Sequence, residues 1–88
     1  MTNDEWTSAK RKFPVGSEVT GTVDRVAPFG IFISVEGMRL SCAFADVAGM
    51  RHAGADGSTV IWPELGEAVT GVVVEHTDHN HQLKLHLR

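Results

Sequence analysis

Apolar and polar positions alternate with the period of a strand in five stretches of this chain. Residues 18–26 keep Val19, Gly21 and Val23 on one parity, and Val26 then breaks it, which predicts a bulge or a sharp coil. Over residues 31–35, Ile31, Ile33 and Val35 point one way and Phe32 and Ser34 the other, and Glu36-Gly37 signals a turn. Residues 39–44 place Leu40, Cys42 and Phe44 inward and Arg39, Ser41 and Ala43 outward. Residues 68–75 and 82–88 complete the set, the last opposing Leu83, Leu85 and Leu87 to Lys84, His86 and Arg88. The polar stretch 76–81 between them has hairpin length.

Residues 47–66 break the rhythm with Gly49, Gly54, Gly57, Pro63 and Gly66. They predict a long connection with room for one short helix around 44–50, anchored to the bottom of the fold by Val60, Ile61 and Trp62. Three strands, a long connection and two final strands is the layout of an all-β, five-stranded Greek-key OB-fold barrel. An internal echo supports it. Val15-Gly16-Ser17-Glu18-Val19-Thr20-Gly21-Thr22-Val23 matches Leu65-Gly66-Glu67-Ala68-Val69-Thr70-Gly71-Val72-Val73, 50 residues later. Both segments place a turn glycine before a strand and a second glycine within it, as the coiling of a small closed sheet requires. Residues 1–13 read as a polar tail or a frayed helical turn, and residues 14–88 as the barrel domain.

Composition narrows the function. With 88 residues there is room for one small domain. Eight basic against 11 acidic residues give a net charge of −3. Strong non-specific nucleic-acid binders are usually basic, so any nucleic-acid site here must be local and weak. The single cysteine, Cys42, excludes an internal disulfide and reads as a buried structural thiol in a reducing compartment. No apolar run approaches the roughly 18 residues that span a bilayer, and no leader pattern opens the sequence; a cytoplasmic, monomeric protein without membrane contact is expected.

Two phenylalanines stand out against this background. Phe32 faces water if Ile31 and Ile33 face the core, and Phe29 at the strand mouth can sit beside it, forming a platform on which nucleobases stack. The plainer alternative is that both are packing residues covered by the tail or the long connection. Arg25 and Arg39 either flank the platform and catch phosphates or keep an edge soluble. The run Lys10-Arg11-Lys12 is a phosphate-holding arm or a solvated charge run. His76, His79, His81 and His86 crowd the last hairpin with Asp78; polar turn residues account for them more simply than a metal site, which normally wants four well-placed ligands. No cofactor or metal is expected. No phosphate-cradling glycine loop and no nucleophile beside a base are present, so a binding module is expected rather than an enzyme.

Taken together, the two glycine-led strand openings, the Phe29-Gly30-Ile31-Phe32-Ile33 step and the closing Leu83-Lys84-Leu85-His86-Leu87-Arg88 resemble the S-one domain, an RNA-binding OB-fold module. The resemblance spans Val15 to Arg88. It implies single-stranded RNA as the partner, with Phe29 and Phe32 as the stacking pair, in a translation, ribosome or RNA-turnover setting. It also implies contacts that this chain alters. Asp46 stands where the family usually has a histidine after the third strand, Thr77 or Asp78 where it has an aspartate, and Gln82 where it has an arginine. An aspartate beside the phosphate path, and a lost cation, raise the rival expectation of a protein-interaction module built on the same barrel.

Overall fold

The computed structural model describes residues 2–35 and 43–88. The chain runs through helix α1 (Asn3–Lys12) and strands β1 (Glu18–Ala27), β2 (Gly30–Val35) and β3 (Ala43–Asp46). A 3-10 turn (Val47–Gly49) leads to β4 (Arg51–Ala53), β5 (Thr59–Ile61), β6 (Ala68–Thr77) and β7 (Gln82–Leu87). Strands β1, β2, β3, β7 and β6 close into a barrel in that order, with β3 and β7 parallel and the other neighbours antiparallel. This is the all-β OB fold that the strand pattern predicts. The alternating residues of β1, β2 and β7 face inward as expected, so Val19, Val23, Ile31, Ile33, Val73, Leu83 and Leu85 form the sealed interior.

The internal echo has a structural meaning. Strands β1 and β6 pair so that Thr20 lies opposite Thr70, its own counterpart 50 residues on, and their hydroxyl oxygens are 3.1 Å apart. An approximate two-fold axis therefore passes between them. Gly16 N–H donates to the Val73 carbonyl (2.7 Å) and Val73 N–H to the Ser17 carbonyl (2.9 Å). Symmetrically, Gly66 N–H donates to the Val23 carbonyl (2.8 Å) and Val23 N–H to the Glu67 carbonyl (2.9 Å). Gly16 and Gly66 adopt φ of 93° and 85°, a left-handed conformation that other residues enter at a cost. The register shifts fall at equivalent places too, between Val23 and Arg25 and between Val73 and Glu75. The bulge expected from the parity break at Val26 thus lies earlier in β1.

Three expectations change. On β3, Ala43 and Ala45 are fully buried and Phe44 is turned outward, the reverse of the alternation read over residues 39–44. Ala43 is paired with Ile33 on one side and Leu83 on the other, and these larger side chains fill the interior, leaving alanine as the size that β3 can add. Arg39, Leu40, Ser41, Cys42 and the Glu36-Gly37 turn lie outside the described residues. In the connection, β4 and β5 form a two-stranded sheet of their own; Val60 packs against the core, whereas Ile61 and Trp62 are substantially exposed and do not act as anchors.

The third change is at the N-terminal segment, which forms a ten-residue helix rather than a polar tail. Thr2 and Glu5 make a reciprocal capping box, acidic residues occupy the first turn and basic residues the last, so both ends match the helix dipole. Trp6 and Ala9 are buried with the barrel core. The Trp6 indole stacks on the His81 ring (centroids 5.3 Å, planes 16° apart) and meets His76 edge-on. Its Nε1–H donates to Asp78 Oδ1 (2.8 Å), which also accepts from Lys10 Nζ (2.9 Å). Hydrogen bonds from Lys10 and then Trp6 hold the Asp78 carboxyl below the usual range. The histidine-rich hairpin therefore serves as the seat for α1, and among the described residues no group of three or more potential ligands is placed to hold a metal.

Candidate nucleic-acid interface

Strand register assembles the candidate site. Arg25 on β1 is paired with Phe32 on β2, Phe32 with Phe44 on β3, and Phe44 with Lys84 on β7. Paired residues share a face of a sheet, so a cation, two phenylalanines and a second cation form one row across four strands. Strands β1 and β2 are joined by the two-residue turn Pro28-Phe29, because Ala27 is paired with Gly30. That turn lifts Phe29 over the end of the row.

The three rings touch one another. Their centroids lie 5.0 Å (Phe32–Phe44), 5.8 Å (Phe29–Phe44) and 6.2 Å (Phe29–Phe32) apart, the last pair edge to face. These are the separations at which aromatic pairs attract. Phe29 is 57% exposed, while Phe32 and Phe44 are half-buried. Gly30 makes the cluster possible. A Cβ at this position would lie 2.5 Å from the Ala45 carbonyl oxygen and 2.6 Å from the Phe44 ring, so the missing side chain is where Phe44 rests. The glycine is required by the close approach of a ring and a neighbouring strand.

Asp46 closes the far end of the site. One carboxylate oxygen accepts from Gly49 N–H (2.9 Å), capping the 3-10 turn, and the other pairs with Lys84 Nζ (3.1 Å). Burial pushes this carboxyl up, but the hydrogen bonds from Lys84 and Gly49 and the charges of Lys84 and His86 outweigh it, leaving it below its usual value. A carboxyl held below its unfolded-state value stabilises the fold above that value, and the contribution is lost as pH falls through the folded-state pKa. Near neutral pH, Asp46 is an anion that neutralises Lys84, the cation paired with Phe44 at this end of the row. Replacing it by asparagine keeps a carbonyl oxygen for Gly49 and releases Lys84. Asp46→Asn is expected to tighten binding of a short RNA several-fold and to steepen the dependence of log affinity on log salt by about 0.7, one phosphate contact. Equal affinity and slope would show that Lys84 never meets the ligand.

The residues singled out from sequence are thus partly brought together. Phe29, Phe32, Arg25 and Asp46 share this surface, and Arg39 lies outside the described residues. Phe44 and Lys84 complete the row; the alternation over residues 39–44 points Phe44 inward, and that over 82–88 already sets Lys84 opposite the leucines. The Ala43-Phe44-Ala45 pattern, small residues flanking a large one, is the signal that identifies the outward ring. Asp78, one of two positions where the resemblance places an acidic contact, is engaged by Trp6 and Lys10. Thr77, the other, is paired with Gln82 across the last hairpin.

No protein-family model and no curated protein matches the chain. Solved structures do resemble it. The apo form of Mycoplasma genitalium RNase R superposes with a TM-score of 0.73 at 13% identity, over 97% of this chain and 15% of that one. In the a/eIF2alpha–aDim2p–rRNA complex from Pyrococcus horikoshii, the TM-score is 0.65 at 22% identity, over 84% of this chain and 44% of the other. A multidomain protein with nucleic acid binding domains from Streptococcus pneumoniae gives 0.66 at 16% identity, over 100% of this chain and 28% of that one. This chain therefore spans less than half of each of these neighbours. At these identities the likeness is one of fold: the barrel is an all-β OB fold.

Proposed function

We propose that this barrel binds single-stranded RNA weakly and with little sequence preference, through the phenylalanine cluster on β2 and β3. The observation that carries the reading is the exposed Phe29 ring, held in contact with Phe32 and Phe44 on one outer face between Arg25 and Lys84. Every base has a flat face, so such a surface tolerates any sequence. One structural neighbour belongs to a complex that contains rRNA and another is a multidomain protein with nucleic acid binding domains, which supports the same reading. Stacking is worth about 1–3 kcal/mol per base, and the surface has few cations, so dissociation constants on the order of micromolar or weaker are expected. The domain acts by binding without catalysis, as an accessory in translation or RNA metabolism.

Removing the exposed ring tests this. Phe29→Ala is expected to weaken binding of short RNA homopolymers about tenfold, with an unchanged melting temperature, in a titration followed by amide shifts. Shifts confined to another face, or an unchanged affinity, would reject the platform. Affinity should also fall as salt rises. A ligand whose affinity ignores salt would point to the rival use of the face, an apolar contact with another protein.

A further inference from the structure

The Arg25 guanidinium lies over the face of the Phe32 ring, with Cζ 4.3 Å from the ring centroid. Phe29 meets the same ring at 88° and Phe44 tilts against it at 50°. Phe32 is therefore contacted by a cation and two rings and is only half-exposed, while Arg25, above it, is exposed. A base arriving over β2 meets the guanidinium first. We infer that Arg25 is a stacking residue of this site: a nucleobase rests on the outer face of the guanidinium, whose inner face rests on Phe32. This deepens the RNA reading and rests on it.

The chemistry favours this assignment over a simple phosphate contact. A guanidinium is planar and weakly hydrated and stacks on aromatic rings, whereas an ammonium is a strongly hydrated point charge with no plane. Lying flat on Phe32, as a Cζ–centroid distance of 4.3 Å allows, the guanidinium would hold its N–H groups in the plane of the stack. A base above it keeps van der Waals contact across its whole area, and the edge donors remain available to a neighbouring phosphate. The ring beneath fixes the plane, so less freedom is lost when the base lands. The β1–β2 register, which sets Arg25 directly opposite Phe32 just after the bulge, produces this overlap.

Arg25→Lys separates plane from charge. Binding of a short single-stranded oligomer and of its fully abasic counterpart, equal in length and charge, would be measured for wild type, Arg25→Lys and Arg25→Ala. On the base-bearing oligomer, Arg25→Lys is expected to lose about tenfold, close to the loss for Arg25→Ala. On the abasic oligomer, Arg25→Lys should match wild type, because the charge is retained and there is no base to stack. Wild-type affinity of Arg25→Lys for the base-bearing oligomer overturns the inference while leaving the RNA reading in place. So does an equal loss on both oligomers, which would mark Arg25 as a phosphate fork. Failure of the wild-type protein to bind any oligomer at low salt overturns both.

Discussion

Trp6→Ala is expected to release α1 from the barrel and to lower stability by about 3 kcal/mol. Trp6 is 3% exposed and is the residue through which the helix reaches the last hairpin, by a stack on His81, an edge contact with His76 and a hydrogen bond to Asp78. Ala9 is the other buried residue of the helix and is too small to replace it. A helix of ten residues is marginal in water even with a capping box at one end, so without the indole it should not persist. The Lys10–Asp78 pair is exposed and contributes little by itself. Amide hydrogen exchange across Asn3–Lys12 checks this: exchange should accelerate toward unprotected rates in the variant. Protected helix amides at wild-type stability would mean that α1 is held by something other than Trp6.

Leu85→Ala should cost about 2–5 kcal/mol, the usual range for truncating a buried leucine. Leu85 is 1% exposed and is paired with Val73 in the sealed interior, on the strand that joins β3 to β6. Ile31, Ile33 and Leu83 are equally buried, so neighbouring strands held by a closed hydrogen-bond ring cannot relax far to fill the hole. For a domain this size, each kcal/mol corresponds to about 4–8 °C of melting temperature. A small single core contributes only about 3–5 kcal/mol net, so a substantial unfolded fraction is expected at 37 °C. A melting temperature within a few degrees of wild type would place Leu85 outside the core. Contrast with Phe29→Ala separates the two faces of the sheet: the first removes stability, the second removes ligand.

Much of this arrangement is legible in the sequence. Wherever a strand has one face sealed and the other wet, a two-residue period marks the two sides, and β1, β2 and β7 follow that rule. The paired strand openings at Val15 and Leu65 were also readable, because left-handed turns select glycine and two related halves repeat their chemistry. Phe29 stands out in the sequence because it sits at the mouth of β2, beside a Phe32 that the alternation turns outward.

Other features depended on neighbours that are distant in sequence. The inward face of β3 is set by how much volume Ile33 and Leu83 leave, and polarity alternation alone, which points Phe44 inward, does not carry that information. The need for glycine at position 30 comes from a ring 14 residues away. The helix at the start is polar but for Trp6 and Ala9, too weak an amphipathic signal to predict docking; the indole is held by residues 70 or more positions later. Local periodicity thus determined β1, β2, β6 and β7 and pointed to a barrel, since these follow from backbone pairing and the burial of one face, whereas β4 and β5 lie in a stretch with no steady period. The composition of the outer surface, with Arg25 on Phe32 and Lys84 held by Asp46, was decided by tertiary register. Side chains from four strands meet there only once the sheet has curled shut.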